Sequence, residues 1–236
     1  MNHKETLFCQ LCYVARNDRG DLTERILSIP LKRFVKKFVG FLTHEEVTMV
    51  LDTVDLKKSG DFRDYTISHL LYDSGARAGE AASLRLEYFD SSQKTLAILG
   101  KGNRYRQIQL WPKTTQLISM YIQKYRLKPK PMHQDVLFLN QRRQGFTRHG
   151  IHRLCQKYLL LALGEDKLKN LNPVHCFRHS CAIRMLGAGY SLTDIKNHLG
   201  HENLQSTMVY LKMDISRKRE LQKKSIALHP KPHSGR

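Results

Sequence analysis

The sequence predicts a mainly helical α+β fold with one small antiparallel β-sheet. Two observations lead there. Most of the chain shows apolar residues at helical spacing, punctuated by capping and glycine stop signals. One central stretch changes period, where Lys94–Leu99 and Arg104–Leu110 are short β-type runs around Gly100-Lys101-Gly102-Asn103. Two such runs joined by a Gly/Asn turn read as a hairpin.

The elements follow in order. Residues 1–40 read as a basic arm, with Ile29 to Val39 (IPLKRFVKKFV) placing four cations behind a proline break. A compact domain is expected over 41–228, and residues 229–236 as a tail. Thr43 and Glu46 form a capping box ahead of Val47, Val50, Leu51 and Val54, which share one helical face. A second helix is expected over about Arg63 to Ser74, ending at Gly75, and a third begins near Arg77. After the hairpin, Thr114 to Tyr125 is helical until Pro129 and Pro131, and Val136–Leu139 suits a short strand. Gly150 to Leu163 is a basic amphipathic helix stopped by Gly164. Asn172-Pro173 opens a helix closed by Gly187 and Gly189. Ser191 or Thr193 caps another ending near Gly200. Leu204 to Leu211 and residues 215–228 complete the set.

Charge narrows the class of partner. The 236 residues hold 40 Lys+Arg against 21 Asp+Glu, a formal net charge of +19. That excess favours a polyanion, since each phosphate contact releases counterions. Nucleic acid is the first candidate, an anionic membrane surface the second. No stretch approaches a membrane span, and Met1 to Gln10 carries no apolar signal core, so a cytoplasmic, nucleoid-associated protein is expected. Five cysteines (Cys9, Cys12, Cys155, Cys176 and Cys181) are expected as free thiols there. No metal and no cofactor is expected. Cys9 and Cys12 form a lone CxxC, and no Walker-type loop is present, Gly100-Lys101-Gly102 being too short for one.

Chemistry on a phosphodiester needs cations for two non-bridging oxygens, a nucleophile, and a proton for the leaving oxygen. Guanidinium suits the oxygens, because its planar fork binds them two at a time and stays charged. Spacing, not abundance, discriminates in so basic a chain. Five features fall in one order along it: Gly75-Ala76-Arg77-Ala78-Gly79-Glu80; Leu99-Gly100-Lys101-Gly102 ahead of Arg104 and Arg106; His175-Cys176-Phe177-Arg178-His179; His198-Leu199-Gly200-His201; and Tyr210, nine residues after His201.

This set resembles the catalytic domain of the tyrosine recombinase (phage integrase) family, over about residues 41–228. The resemblance implies that Tyr210 attacks a DNA phosphate and forms a 3′-phosphotyrosyl link. Arg77 and Arg178 would hold the non-bridging oxygens, and Lys101 would protonate the leaving 5′ oxygen. His175 would assist proton transfer at the tyrosine, and His201 would hydrogen-bond the phosphate. Glu80 would buttress the site. The cationic surround is expected to activate a phenol whose free pKa is about 10. The family's substrate is double-stranded DNA, its assembly a homo- or hetero-tetramer on DNA, and a partner recombinase is a further expected companion. DNA contacts are expected from Arg104, Arg106, Arg142, Arg143, Arg148 and Arg153, with His149 and His152 beside them. Members usually carry a DNA-clamping domain ahead of the catalytic one, so the first 40 residues are expected as its remnant, and residues 215–228 as a segment that docks on a neighbouring subunit.

Each feature has a plainer reading. Arg77 and Glu80 alone would be an ion pair within a helix, Lys101 a turn lysine, and Tyr210 a core aromatic. His175, Cys176, His179 and Cys181 could form a zinc cluster. Three functions stay open: a recombinase or integrase of a mobile element, a type IB topoisomerase-like relaxing enzyme, and a non-catalytic or partner-dependent DNA-binding derivative.

Overall fold

A computed structural model of the chain describes residues 40–211 apart from Lys101 and Asn103. The expectations for the N-terminal arm, for Lys101 and for residues 215–228 lie outside the described residues.

Helix α1 (His44–Asp52) starts as the sequence dictates. Thr43 accepts from the Glu46 N–H, and Glu46 returns a carboxylate to the Thr43 N–H. Val47 and Val50 face the core. Helix α2 (Ser59–Ser74) is longer than expected at its N-terminus. It stops at Gly75, whose φ of 59° is left-handed and where a Cβ would collide with the Leu199 side chain. Helix α3 is a single turn, Ala78–Ala82.

The sheet has three strands in the order β1 (Phe89–Asp90), β2 (Thr95–Leu99), β3 (Tyr105–Gln109), all antiparallel. In β2–β3, Leu96 faces Ile108 and Ile98 faces Arg106. The two-residue β1 was not foreseen. Val136–Leu139 is not a strand. It makes only two isolated bridges, Arg85 to Val136 and Leu139 to Gly145, while Leu137 and Phe138 between them are buried in the core.

Helix α4 (Pro112–Met120) passes into a π-helical turn, Tyr121–Tyr125. The span of helix α5 (Arg148–Leu168) is broken at Gly164, whose φ 76° and ψ 174° are not helical, so the first helical stretch stops where expected and a short second one follows. Helices α6 (His175–Gly187) and α7 (Leu192–Leu199) follow, α7 capped by Ser191 and closed by Gly200 at φ 66°. Residues 205–211 are helical.

One core cluster joins α1, α2, the sheet, α4 and α5 through residues such as Val50, Ile67, Leu70, Ile98, Ile118 and Tyr158. A second, smaller cluster gathers Cys181, Ile183, Met185, Ile195, Leu199 and Tyr210 beneath α6 and α7. Burial of this apolar surface is what holds the short helix ends in place. Cys155, Cys176 and Cys181 are free and buried, as expected of thiols without partners. Burial pushes Cys176 up to about 12 and Cys181 up to about 11.

Candidate active site

Ends of several helices and of the β2–β3 hairpin converge on a cavity of about 1000 Å³, lined among others by Arg77, Glu80, Arg104, Arg106, Arg148, His149, His152, His175 and His201. Arg77 is not inside a helix. It is the N-cap of α3, with extended backbone at φ −75°, ψ 156°, and its side chain is 41% exposed toward the cavity. Glu80 at the third helical position returns to it twice. Oε2 accepts the Arg77 backbone N–H at 2.9 Å, and Oε1 accepts from Nη1 at 2.6 Å. Glu80 thus holds Arg77 by capping the helix start as well as by an ion pair.

Arg106 lines the cavity and is also tied into the protein. It is expected at the DNA backbone, and its side chain is 11% exposed. Nη2 donates to Glu80 Oε2 at 2.7 Å and Nε donates to the His198 carbonyl at 2.9 Å. The period of β3 carried that signal, since Arg106 and Ile108 lie on one face and Ile108 is buried. Burial alone would raise the Glu80 carboxyl. The hydrogen bond and charge of Arg106, then the contacts of Arg77, overcome it and hold Glu80 at about 2.

Arg178 on α6 is 4% exposed. Its fork grips two helix ends: Nη1 donates to the Gly75 carbonyl at 2.6 Å and Nη2 to the Leu199 carbonyl at 2.7 Å. Burial, then the charge of Arg77, lowers it to about 10, so it remains cationic at neutral pH. His175, at the start of α6, is exposed and lines the cavity. Partial desolvation, then the charges of Arg178 and Arg77, lower its pKa.

Tyr210 is 2% exposed and packs in the second core cluster behind the cavity. Its hydroxyl meets His179 Nδ1 at 3.2 Å, not His175. Its ring stacks on His201, with centroids 6.1 Å apart and planes 14° apart. His201 Nδ1 meets Thr207 Oγ1 at 2.8 Å, leaving Nε2 for a ligand. Burial lowers His201 to about 3 and His179 to about 4, assisted by Arg178 and other neighbouring charges. Both rings are neutral at neutral pH. Burial also raises Tyr210 and outweighs the opposing charge of Arg178. The activated phenol expected from a cationic surround is thus absent in this arrangement, because desolvation is the larger effect.

The remaining candidates divide. Arg104 and Arg148 line the cavity. Arg142 and Arg143 lie apart from it, on a turn held by Asn140 Oδ1 accepting from Arg142 N at 2.8 Å, and Arg143 has φ 62°. Arg153 is exposed on α5 and is not among the cavity residues. Among the described residues no group of His, Cys, Asp or Glu is placed to hold a metal; on α6, Cys176 donates to the Pro173 carbonyl and Cys181 to the Asp73 carbonyl. Two residues make contacts that the sequence reading did not assign to them. His179 lies four positions after His175, one helical turn on. His198 Nε2 donates to the Asp73 carbonyl at 3.1 Å and locks α7 to α2.

This fold and this convergence define a class. The phage integrase family model matches residues 40–217, and the chain belongs to that family. Tyrosine recombinase XerD of Staphylococcus haemolyticus (strain JCSC1435) is 34% identical over 183 residues, covering 77% of this chain and 61% of that protein. Tyrosine recombinase XerC of Chlamydia caviae is 29% identical over 223 residues, 94% of this chain and 68% of that one. The chain thus spans less than two thirds of the XerD. Among solved structures, XerA recombinase superposes with TM-score 0.66 at 23% identity, over 90% of this chain and 71% of that one. The Tn1549 transposon integrase in complex with transposon right end DNA gives 0.66 at 19%, over 92% and 76%. These superpositions show the same fold. No helix among the described residues is long and apolar enough to cross a membrane.

Proposed function

We propose that the chain is a site-specific DNA strand-transferase that cuts and rejoins double-stranded DNA through a 3′-phosphotyrosyl link on Tyr210. The observation that carries this is one cavity edged by Arg77, His175 and His201, with Tyr210 stacked against His201 on its far side. Arg77 and Arg178 bind the non-bridging oxygens and stabilise their growing charge. Tyr210 Oη attacks phosphorus, and the bond to the 5′ oxygen breaks. His179, neutral and already at the hydroxyl, or His175 beside it takes the phenolic proton. Lys101 gives a proton to the leaving oxygen. His201 Nε2 hydrogen-bonds the phosphate. The link conserves the energy of the broken bond, so a 5′-hydroxyl reverses it without a nucleotide.

Arg104 and Arg148 would meet DNA at the rim of the cavity. The relatives support residues 41–228 as the catalytic domain, a tetramer on DNA as the working assembly, and a nucleoid-associated, cytoplasmic setting. The likeness to a transposon integrase supports a mobile element as its source. The burial of Tyr210 favours a second reading, a chain that cleaves only beside a partner recombinase, since residues 205–211 must shift before the hydroxyl reaches the cavity.

The test is to mix the protein with sheared DNA from its own genomic neighbourhood, quench with SDS, and sequence DNA bound covalently to protein. The native chain is expected to give an adduct at a defined site and Tyr210→Phe none. An adduct only when a neighbouring recombinase is added selects the second reading. An adduct with Tyr210→Phe overturns both.

A further inference from the structure

Arg106 sits where three parts of the cavity wall meet. It belongs to β3, whose partner strand β2 ends at Leu99. The hairpin narrows there, with the Gly100 N–H donating to the Arg104 carbonyl at 2.8 Å, and Lys101 is the next residue in the sequence after Gly100. From β3 the guanidinium reaches Glu80, which holds Arg77, and the His198 carbonyl in the last turn of α7, which presents His201. The fit is close. A Cβ on Gly200 would lie 2.9 Å from Arg106 Nη1 and 3.0 Å from its Cδ, so the absence of a side chain at 200 lets the guanidinium lie against the α7 terminus.

We infer that Arg106 is a positioning residue: one buried guanidinium fixes the β2–β3 hairpin, and with it Lys101, against the helix ends that carry Arg77 and His201. It contacts neither nucleophile nor phosphate in this role. The inference rests on the proposed strand-transfer reaction for its catalytic consequence, but the strut itself is a property of the free protein. Lysine cannot replace it, because one ammonium does not reach Glu80 and the His198 carbonyl with two aligned donors.

Two measurements test it on the full chain. In the first, hydrogen exchange of free Arg106→Gln is compared with wild type, and faster exchange is expected at the backbone of 99–105 and 198–201 alone. In the second, single-turnover cleavage is followed on a nicked duplex carrying the site recovered from the SDS adduct, with either oxygen or sulfur at the 5′ bridging position. A thiolate leaves without needing a proton, so sulfur bypasses the acid. Arg106→Gln and Arg106→Lys are expected to lose about 100-fold on the oxygen substrate, the scale of a misplacement of about 1 Å. The loss should largely vanish with sulfur, as it should for Lys101→Ala, while DNA affinity is unchanged. Equal losses on both substrates, or unchanged exchange in the hairpin, overturn the inference. If the wild type forms no adduct, the strand-transfer reading fails, and the exchange result alone decides the strut. If Lys101→Ala is not restored by sulfur, the assignment of the acid fails, and loss of the exchange effect remains the outcome that would sink the strut.

Discussion

Glu80 holds Arg77 at both ends of the residue, accepting its backbone N–H at 2.9 Å through Oε2 and its guanidinium at 2.6 Å through Oε1. The same Oε2 also takes Arg106 at 2.7 Å. Three donors thus converge on one carboxylate that is 7% exposed, and removing it leaves the buried Arg106 without a counter-charge. Glu80→Ala is expected to cost about 3–5 kcal/mol, the range for breaking a buried pair from one side. Glu80→Gln should cost less, because it keeps two acceptor-side contacts. Urea unfolding with an unchanged slope checks both.

The same carboxylate sets an acid limb. Its folded pKa of about 2 lies below the ordinary value of 4.5, so the stability it contributes is complete above pH 4.5 and is lost as pH falls from 4.5 toward 2. Glu80→Gln should flatten the stability profile in that window and nowhere else.

Buried histidines act in a higher window. His69, His179 and His198 are each lowered to about 4, chiefly by burial, from an ordinary 6.5. The folded protein keeps them neutral while the unfolded chain takes up protons. Their contribution is therefore full above about pH 6.5 and falls as pH drops to about 4, where the loss from these three saturates while that from His201 continues toward 3. Chemical unfolding at intervals between pH 7 and 4 should show this slope. His69→Gln, away from the cavity and bonded to Thr114 Oγ1 at 3.1 Å, should reduce it by at most about one quarter, because His201, lowered to about 3, contributes across the same window.

Two glycines should answer oppositely to alanine. Gly79 has an ordinary φ, and a Cβ there meets nothing within 4 Å, so Gly79→Ala should stabilise by about 0.4–1 kcal/mol through the unfolded state. Gly200, at φ +66° and against Arg106, should lose about 1–3 kcal/mol on the same change. Denaturation midpoints measure both.

Arg178 binds the Gly75 and Leu199 carbonyls with separate nitrogens. Arg178→Lys keeps a charge and loses that fork. On the proposed reaction it should lower the single-turnover rate by about 100- to 1000-fold, the usual cost of one transition-state donor. It should also loosen the junction between α2 and α7. DNA affinity at fixed salt should change far less than the rate.

Much of this was legible in the sequence because the signals were local. The Thr43–Glu46 box, the Gly75 and Gly200 stops and the hairpin each depend on a few adjacent residues. What escaped was decided by tertiary contacts. Val136–Leu139 has strand residues but lies beside chain that pairs with it only at single points. Arg106 was read by its charge, although the alternation of its strand pointed it inward. The tyrosine's partner, His179, and the withdrawal of Tyr210 behind the cavity depend on how residues 205–211 lie on α6, which no spacing along the chain encodes.

Helix α6 also contains its own reporter. Cys176 and Cys181 flank Arg178 in the chain, are fully buried, and donate to the Pro173 and Asp73 carbonyls. Thiolate is the reactive form, and burial suppresses it. Alkylating reagents can therefore modify these sulfurs only when the helix leaves its seat, so their modification rate clocks the lifetime of the assembled arginine site in the native protein without any DNA.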